Sequence, residues 1–307
     1  MPGRPLCSDD EAEARGFVGQ ECSRRRAVLR ETLEAFERAD PADAYHQQAS
    51  HNLERWRGSA VPHTGLHVEV LPGDWGEVTR GLTSKYGQCF AVLNMANAYV
   101  PGGAYVEGAV AQEENIFRRT DCHFQVSHDE YDPMLDRYLP EMTRLLTAQD
   151  GVVYLDSMKP RVCIRGPEDR TSHDLGYHWL TEDEVFPFWE LRASAQDLRC
   201  GQPFDESEAR RRISAQFSTL IAHGVKHVVF GAFGCGAFKN PAERVARIYR
   251  EEIQRHASAF RVIAFAIFHA GYGPGNFPPF HEALGDLSSQ PDGLGGHGVG
   301  WGRFPWA

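Results

Sequence analysis

Glu113 and Glu114 stand side by side in a chain of 307 residues, preceded by Gln112 and a few positions beyond the run Pro101-Gly102-Gly103-Ala104. Adjacent carboxylates raise one another's pKa because like charges disfavour the second ionisation. A carboxyl that stays protonated near neutral pH is what general acid catalysis needs. The same pair also suits a solvated first helical turn whose acids complement the helix dipole. A second glycine-bearing loop, Gly231-Ala232-Phe233-Gly234-Cys235-Gly236-Ala237-Phe238, lies downstream. Each loop leaves an apolar run and enters a helical pattern, where glycine permits close backbone approach and helix N-termini offer free N–H groups to phosphate. Two such loops could clasp a diphosphate, and each alone also suits a tight strand-to-helix turn. Neither has the GxGxxG spacing followed by an acid about twenty residues on, nor the glycine-lysine pattern of ATP loops, so nicotinamide and ATP readings gain no motif support.

These loops need elements to hold them. The run 89–96 is apolar on both faces and predicts a central strand covered on both sides, feeding the loop 97–108 and a helix over 109–120. Alternation over 65–71 predicts a half-buried strand, and short strands are expected at 152–155 and 162–164, with a longer one over 186–195. Leu135, Leu139, Met142 and Leu146 share one helical face, with Pro140 expected to kink it. Asp205 with Glu208 forms a capping signal for a helix carrying Ile213, Phe217, Leu220 and Ile221. Strands over 227–233 and 261–268 flank a helix over 241–256, and an amphipathic helix over 23–39 precedes everything else. Alternating strands and helices imply an α/β fold with a mixed, mostly parallel sheet and helices on both faces. The organisation expected is an N-terminal helical extension over 1–62, the main domain over 63–287, and a glycine-rich tail over 288–307. Trp301, Phe304 and Trp306 in that tail have no assigned place.

The run from Val92 to Ala104, a spacer of seven residues, and then Gln112-Glu113-Glu114-Asn115-Ile116-Phe117-Arg118-Arg119-Thr120 resembles the signature of the microbial-type poly(ADP-ribose) glycohydrolases. That family carries three glycines, a short spacer and Gln-Glu-Glu on a macrodomain, a three-layer sandwich. The resemblance continues through Lys159-Pro160-Arg161-Val162, through 234–241 and through Phe265-Ala266-Ile267-Phe268 with Asn276-Phe277. It implies Glu114 as the catalytic acid and Glu113 as a holder of the reacting ribose. It further implies Asn97 on the distal ribose, Gly102 and Gly103 on the diphosphate with Ala104 and Gln112 beside them, Gly234, Cys235, Gly236 and Ala237 on its other side, and Phe238 covering the ribose. The expected ligand is ADP-ribose, on a protein or in poly(ADP-ribose), and the expected activity is hydrolysis of the ribose glycosidic bond, which calls for a proton donor and a placed water but no metal or cofactor. A binding module that reads ADP-ribose without cleaving it, and a hydrolase for mono-ADP-ribosylated side chains such as arginine, are the competing readings. The chain departs from the family at Ala104, which replaces the third glycine and would be strained at positive φ. It departs again at Ala193-Ser194-Ala195-Gln196-Asp197, where the family has an alanine-rich stretch ending in Pro-Asn.

A formal net charge of −10 disfavours broad adhesion to nucleic acid, which rests on basic side chains. No apolar run reaches the roughly eighteen residues of a membrane span, and no secretory signal is visible, so a cytoplasmic setting is expected. Seven cysteines form no CxxC pair and no Cys/His ligand spacing. Ser172, His173 and Asp174 read as a polar loop, since triad members converge from separate segments. Cys235 reads as a small residue filling a tight loop. Arg118 and Arg119 are expected to pair with surface acids or reach phosphate. His178, Trp179, Trp189, Tyr272 and Phe124 could stack on adenine, with packing the default.

Overall fold

The structure, a computed structural model, describes residues 9–39, 43–127, 129–269 and 275–287. The chain opens with two helices, α1 (Asp9–Ala39) and α2 (Ala44–Gly58), and then runs β1 (His67–Pro72), α3 (Trp75–Tyr86), β2 (Ala91–Met95) and α4 (Gln112–Arg119). A two-stranded hairpin of β3 (Tyr131–Asp132) and β4 (Arg137–Tyr138) precedes α5 (Pro140–Leu146). The remainder comprises β5 (Tyr154–Leu155), β6 (Arg161–Cys163), β7 (Phe186–Ala193), α6 (Glu206–Ala222), β8 (His227–Phe230), α7 (Ala242–His256), β9 (Val262–Ile267) and α8 (Phe277–Leu284).

The main sheet runs in the order β1-β9-β8-β2-β7-β5, with β6 also paired to β7. Every pairing from β1 to β7 is parallel, and β5 and β6 run antiparallel to β7. The mixed, mostly parallel sheet is the one expected. Period-2 geometry then sorts the strand side chains into two cores. Leu93, Val228, Phe230, Ile263 and Phe265 face one side, where Ile213 and Phe217 of α6, Ile248 and Tyr249 of α7 and Phe280 of α8 pack against them. Val92, Val229, Val262 and Ala264 face the other, against Trp56 of α2, Leu82 and Tyr86 of α3, and Ile116 and Phe117 of α4. The apolar run at 89–96 is thereby explained, because β2 is buried on both faces. Each fully buried Val, Leu, Ile or Phe among them contributes about 1.5–3 kcal/mol.

Pro140 is the first residue of α5 rather than a kink within a longer helix. Its missing N–H costs nothing there, and its fixed φ favours the first turn. The residues upstream, which shared its helical spacing, form the β3–β4 hairpin instead.

α1 lies across α4 and is fixed there by charges. Arg25, 2% exposed, donates to Glu168 at 2.7 Å, and Tyr177 Oη donates to the same carboxylate at 2.8 Å. Burial pushes Glu168 up, but these partners outweigh it and hold its pKa below the ordinary value. Thr32 Oγ1 donates to the Arg118 carbonyl at 2.7 Å, and Arg165 reaches Glu31 at 2.6 Å. At Gly108, where φ is +84°, a Cβ would fall 2.3 Å from the Cys22 carbonyl oxygen, so only glycine lets the loop before α4 approach α1 this closely. The tail over 288–307 and Tyr272 lie outside the described residues.

Candidate active site

β8, β2 and β7 are neighbours in the sheet, and the loops that leave their carboxyl ends converge. β2 leads through 96–111 into α4. Gln112 ties the start of that helix to the strand: its Oε1 accepts from Met95 N at 2.9 Å and its Nε2 donates to Leu93 O at 2.7 Å. The carboxamide is thus spent on holding α4 in place, and Glu113 and Glu114 fall in the first turn, directly above the strand end.

Both glutamates are turned inward, at 4% and 9% exposure, which removes the solvated-turn reading. Glu113 Oε2 accepts from Asn97 N at 2.6 Å, and its Oε1 accepts from Gly102 N at 3.1 Å. Glu114 Oε1 accepts from Ala104 N at 3.2 Å. Burial pushes the Glu113 carboxyl well above its usual range, and the neighbouring Glu114 pushes it further. Burial likewise raises Glu114, opposed by its backbone donors and by Arg118.

The loop between β2 and α4 is built to deliver these amides. Asn97 Oδ1 accepts from Tyr99 N at 2.8 Å and Val100 N at 3.1 Å, which turns the chain at the strand exit. Gly102 and Gly103 adopt φ of +70° and +59°, the left-handed region that favours glycine. Ala104 is absent from the positive-φ residues, so its methyl meets no backbone strain. The amides expected to face a diphosphate are engaged within the protein: Gly102 N on Glu113, and Gly103 N on Val100 O at 3.0 Å.

The second loop leaves β8 beside it. Gly231 lies against the Met95 thioether, and Gly234, at φ +73°, leaves room for Ala195 and Asn240. Asn240 Nδ2 donates to Gln196 O at 2.7 Å and lies within 3.1 Å and 3.3 Å of the carbonyls of Gly234 and Phe238. This pins the loop at both ends and to the segment after β7. Among the described residues, the amides of Gly236, Ala237 and Phe238 have no protein acceptor, so this loop offers free donors where the first does not. Burial pushes the Cys235 thiol far up, which keeps it un-ionised and removes the nucleophile reading. Phe238 is half-buried, with Leu198 N donating to its carbonyl at 3.1 Å and the Arg199 guanidinium 5.1 Å from its ring centre.

One expectation fails and two others hold, for the triad-like loop and the aromatic residues. Arg118 and Arg119 reach neither surface acids nor open phosphate sites, being 0% and 1% exposed. Arg118 donates to Tyr177 Oη and Ala109 O, and Arg119 to Asp74, Asn115 and the Arg165 carbonyl, so both lock α4 to its surroundings. Trp179 is 46% exposed and stacks on Arg165 at 3.5 Å, while Phe124 packs edge-on to Phe36 and His123. Ser172 Oγ donates to Asp174 directly and His173 pairs with Arg24, so the three are a surface turn. What the sequence reading missed is a buried ionic cluster beneath the glutamates. Glu190 lies between Arg161 and Arg192, 3.0 Å from each, and accepts from Asn94 at 2.8 Å. Paired β-strand alternation was the available signal, since it turns Asn94, Glu190 and Arg192 into the sheet's interior. A hollow of about 610 Å³ lies outside the cleft, between α1 and Val106 on the same loop.

Residues 22–154 match the model of the microbial-type PARG catalytic domain. Among solved structures, poly(ADP-ribose) glycohydrolase from Thermomonospora curvata bound to the inhibitor ADP-HPD is similar at 22% identity and a TM-score of 0.58, covering 84% of this chain and 98% of that one. The Deinococcus radiodurans poly(ADP-ribose) glycohydrolase in complex with ADP-ribose is similar at 24% identity and a TM-score of 0.54, covering 79% and 92%. Among curated proteins, none matches the chain. The chain therefore has the fold of the bacterial poly(ADP-ribose) glycohydrolases, and its residues 22–154, which contain β2, both glutamates and α4, match their catalytic-domain family.

Proposed function

We propose that this protein is an ADP-ribosyl glycohydrolase that cleaves the ribose glycosidic bond of poly(ADP-ribose) or of protein-linked ADP-ribose. The observation that carries the reading is the buried Glu113–Glu114 pair, held by loop amides at the carboxyl ends of parallel strands. Burial raises both carboxyls, so the pair can hold a proton, and the resemblance to the glycohydrolase signature assigns that proton to Glu114. Glu114 gives that proton to the leaving oxygen as the bond to the anomeric carbon breaks. It then takes a proton from the water that attacks the same carbon, which returns the carboxyl to its starting state. Glu113 accepts hydrogen bonds from the ribose hydroxyls on the lone pairs its loop amides leave free, and Asn97, whose Oδ1 is already used, offers its Nδ2 donors to the distal ribose. The free amides of 236–238 receive the diphosphate, and Phe238 shields the ribose from water.

Among the described residues, no helix is long and apolar enough to cross a membrane. A reducing cytoplasmic setting is part of the proposal, supported by the free thiols of the six cysteines among the described residues.

The test is release of free ADP-ribose from poly(ADP-ribose) and from a mono-ADP-ribosylated protein, wild type beside Glu114→Ala, with ADP-ribose affinity measured by calorimetry. Loss of a general acid is expected to slow release by about 10²–10⁴-fold while binding persists. Tight binding with no release by the wild type would make the protein a reader and defeat the proposal.

A further inference from the structure

The segment after β7 places a cation against Phe238. Leu198 N is anchored to the Phe238 carbonyl at 3.1 Å, and the Arg199 guanidinium lies 5.1 Å from the Phe238 ring centre. The partner of Arg199 is Asp197, at 2.8 Å and 2.5 Å, with both side chains about half exposed (52% and 43%). An ion pair this open to solvent contributes little, so Arg199 can leave Asp197 for a stronger anion at small cost. On the proposed reading Phe238 covers the reacting ribose, so the guanidinium against its ring is a neighbour of the bond that is cut.

We propose that Arg199 is a specificity-determining residue that receives the phosphate of the departing group, so that the cleft prefers poly(ADP-ribose) to an arginine-linked ADP-ribose. The inference rests on the proposed glycohydrolase reading. In a polymer the departing unit carries its own diphosphate, which offers a planar guanidinium two oxygens. In an arginine-linked substrate the departing group is itself a guanidinium, which Arg199 repels.

The experiment compares wild type, Arg199→Lys and Arg199→Glu for ADP-ribose release from both substrates, and for ADP-ribose affinity. The same two substitutions are placed on the Glu114→Ala background and measured for binding of intact poly(ADP-ribose), an arm that requires no turnover. Arg199→Glu is expected to lower polymer kcat/KM and polymer binding by about tenfold, as the reversal of one exposed charge contact would. Release from mono-ADP-ribosylated arginine holds or rises, ADP-ribose affinity is unchanged, and Arg199→Lys, which keeps the charge but not the two-oxygen fork, recovers only part of the polymer binding. Equal losses on both substrates, a fall in ADP-ribose affinity, or unchanged polymer binding would each overturn the assignment. If the wild type releases ADP-ribose from neither substrate, the glycohydrolase reading fails, and the binding arm still decides whether Arg199 holds the polymer.

Discussion

Gly103 is the position where one methyl group tests the whole arrangement. A Cβ there would fall 2.5 Å from Glu114 Oε1, 3.1 Å from its Cδ and 3.2 Å from Glu113 Oε2. Ordinary contact begins near 3.4 Å, so Gly103→Ala displaces the Glu114 carboxyl by close to 1 Å. A shift of that size between a catalytic group and the reacting bond costs roughly 10²-fold in rate. The residue also sits at φ +59°, where an L side chain costs about 1–2 kcal/mol. At about 2–4 °C per kcal/mol, the melting temperature falls by about 2–8 °C, leaving the protein folded at assay temperature. Initial rates of ADP-ribose release, calorimetric ADP-ribose binding and a thermal melt on the same preparation separate the two effects. Ala104→Gly is the matched control: Ala104 is not at positive φ, so restoring the third glycine changes the rate by less than about twofold and costs at most about 1 kcal/mol. A Gly103→Ala protein with wild-type turnover would refute the placement of Glu114 at the reacting bond.

Two further outcomes follow from the charges. Burial raises both Glu113 and Glu114, so the acid form of Glu114 persists above the ordinary carboxylate range; kcat is present below its folded pKa and declines as pH rises through it. The stability contribution of Glu113 has the same sense, being full below its unfolded pKa and lost as pH rises through the higher folded one. Melting temperatures of Glu113→Gln minus wild type should therefore increase with pH, and a flat difference would contradict the burial argument. For Glu190→Gln, the loss of the charge between Arg161 and Arg192 leaves two buried guanidiniums short of a partner and costs about 3–5 kcal/mol in urea unfolding. A loss below about 1 kcal/mol would show that Asp156 and Glu130, which also contact those arginines, carry the cluster.

Much of the scaffold was legible because it depends on neighbours in the chain. The double-faced burial of β2, β8 and β9 follows from nearly unbroken apolar runs. The bend after β2 follows from Asn97, Gly102 and Gly103, whose side chains or lack of them act within a few residues. The placement of Glu113 and Glu114 in the first turn of a helix could be counted from the same stretch. The spacing from glycines to glutamates is a local property too, which is why the family resemblance could be drawn from the sequence.

The sequence alone determined an α/β chain with two glycine-bearing loops and a carboxylate pair next to one of them. Tertiary structure alone decided that α1 is tied to the segment between β6 and β7 through Arg25 and Glu168, 143 positions apart in the chain. It also decided that Arg118 and Arg119 are interior, that Glu113 spends both oxygens on loop amides, and that Arg199 lies against the Phe238 ring. The physical reason is common to all of these. Periodicity tells which face of an element turns inward, but a charge becomes tolerable inside only when its partner arrives from elsewhere in the chain, and periodicity does not name that partner.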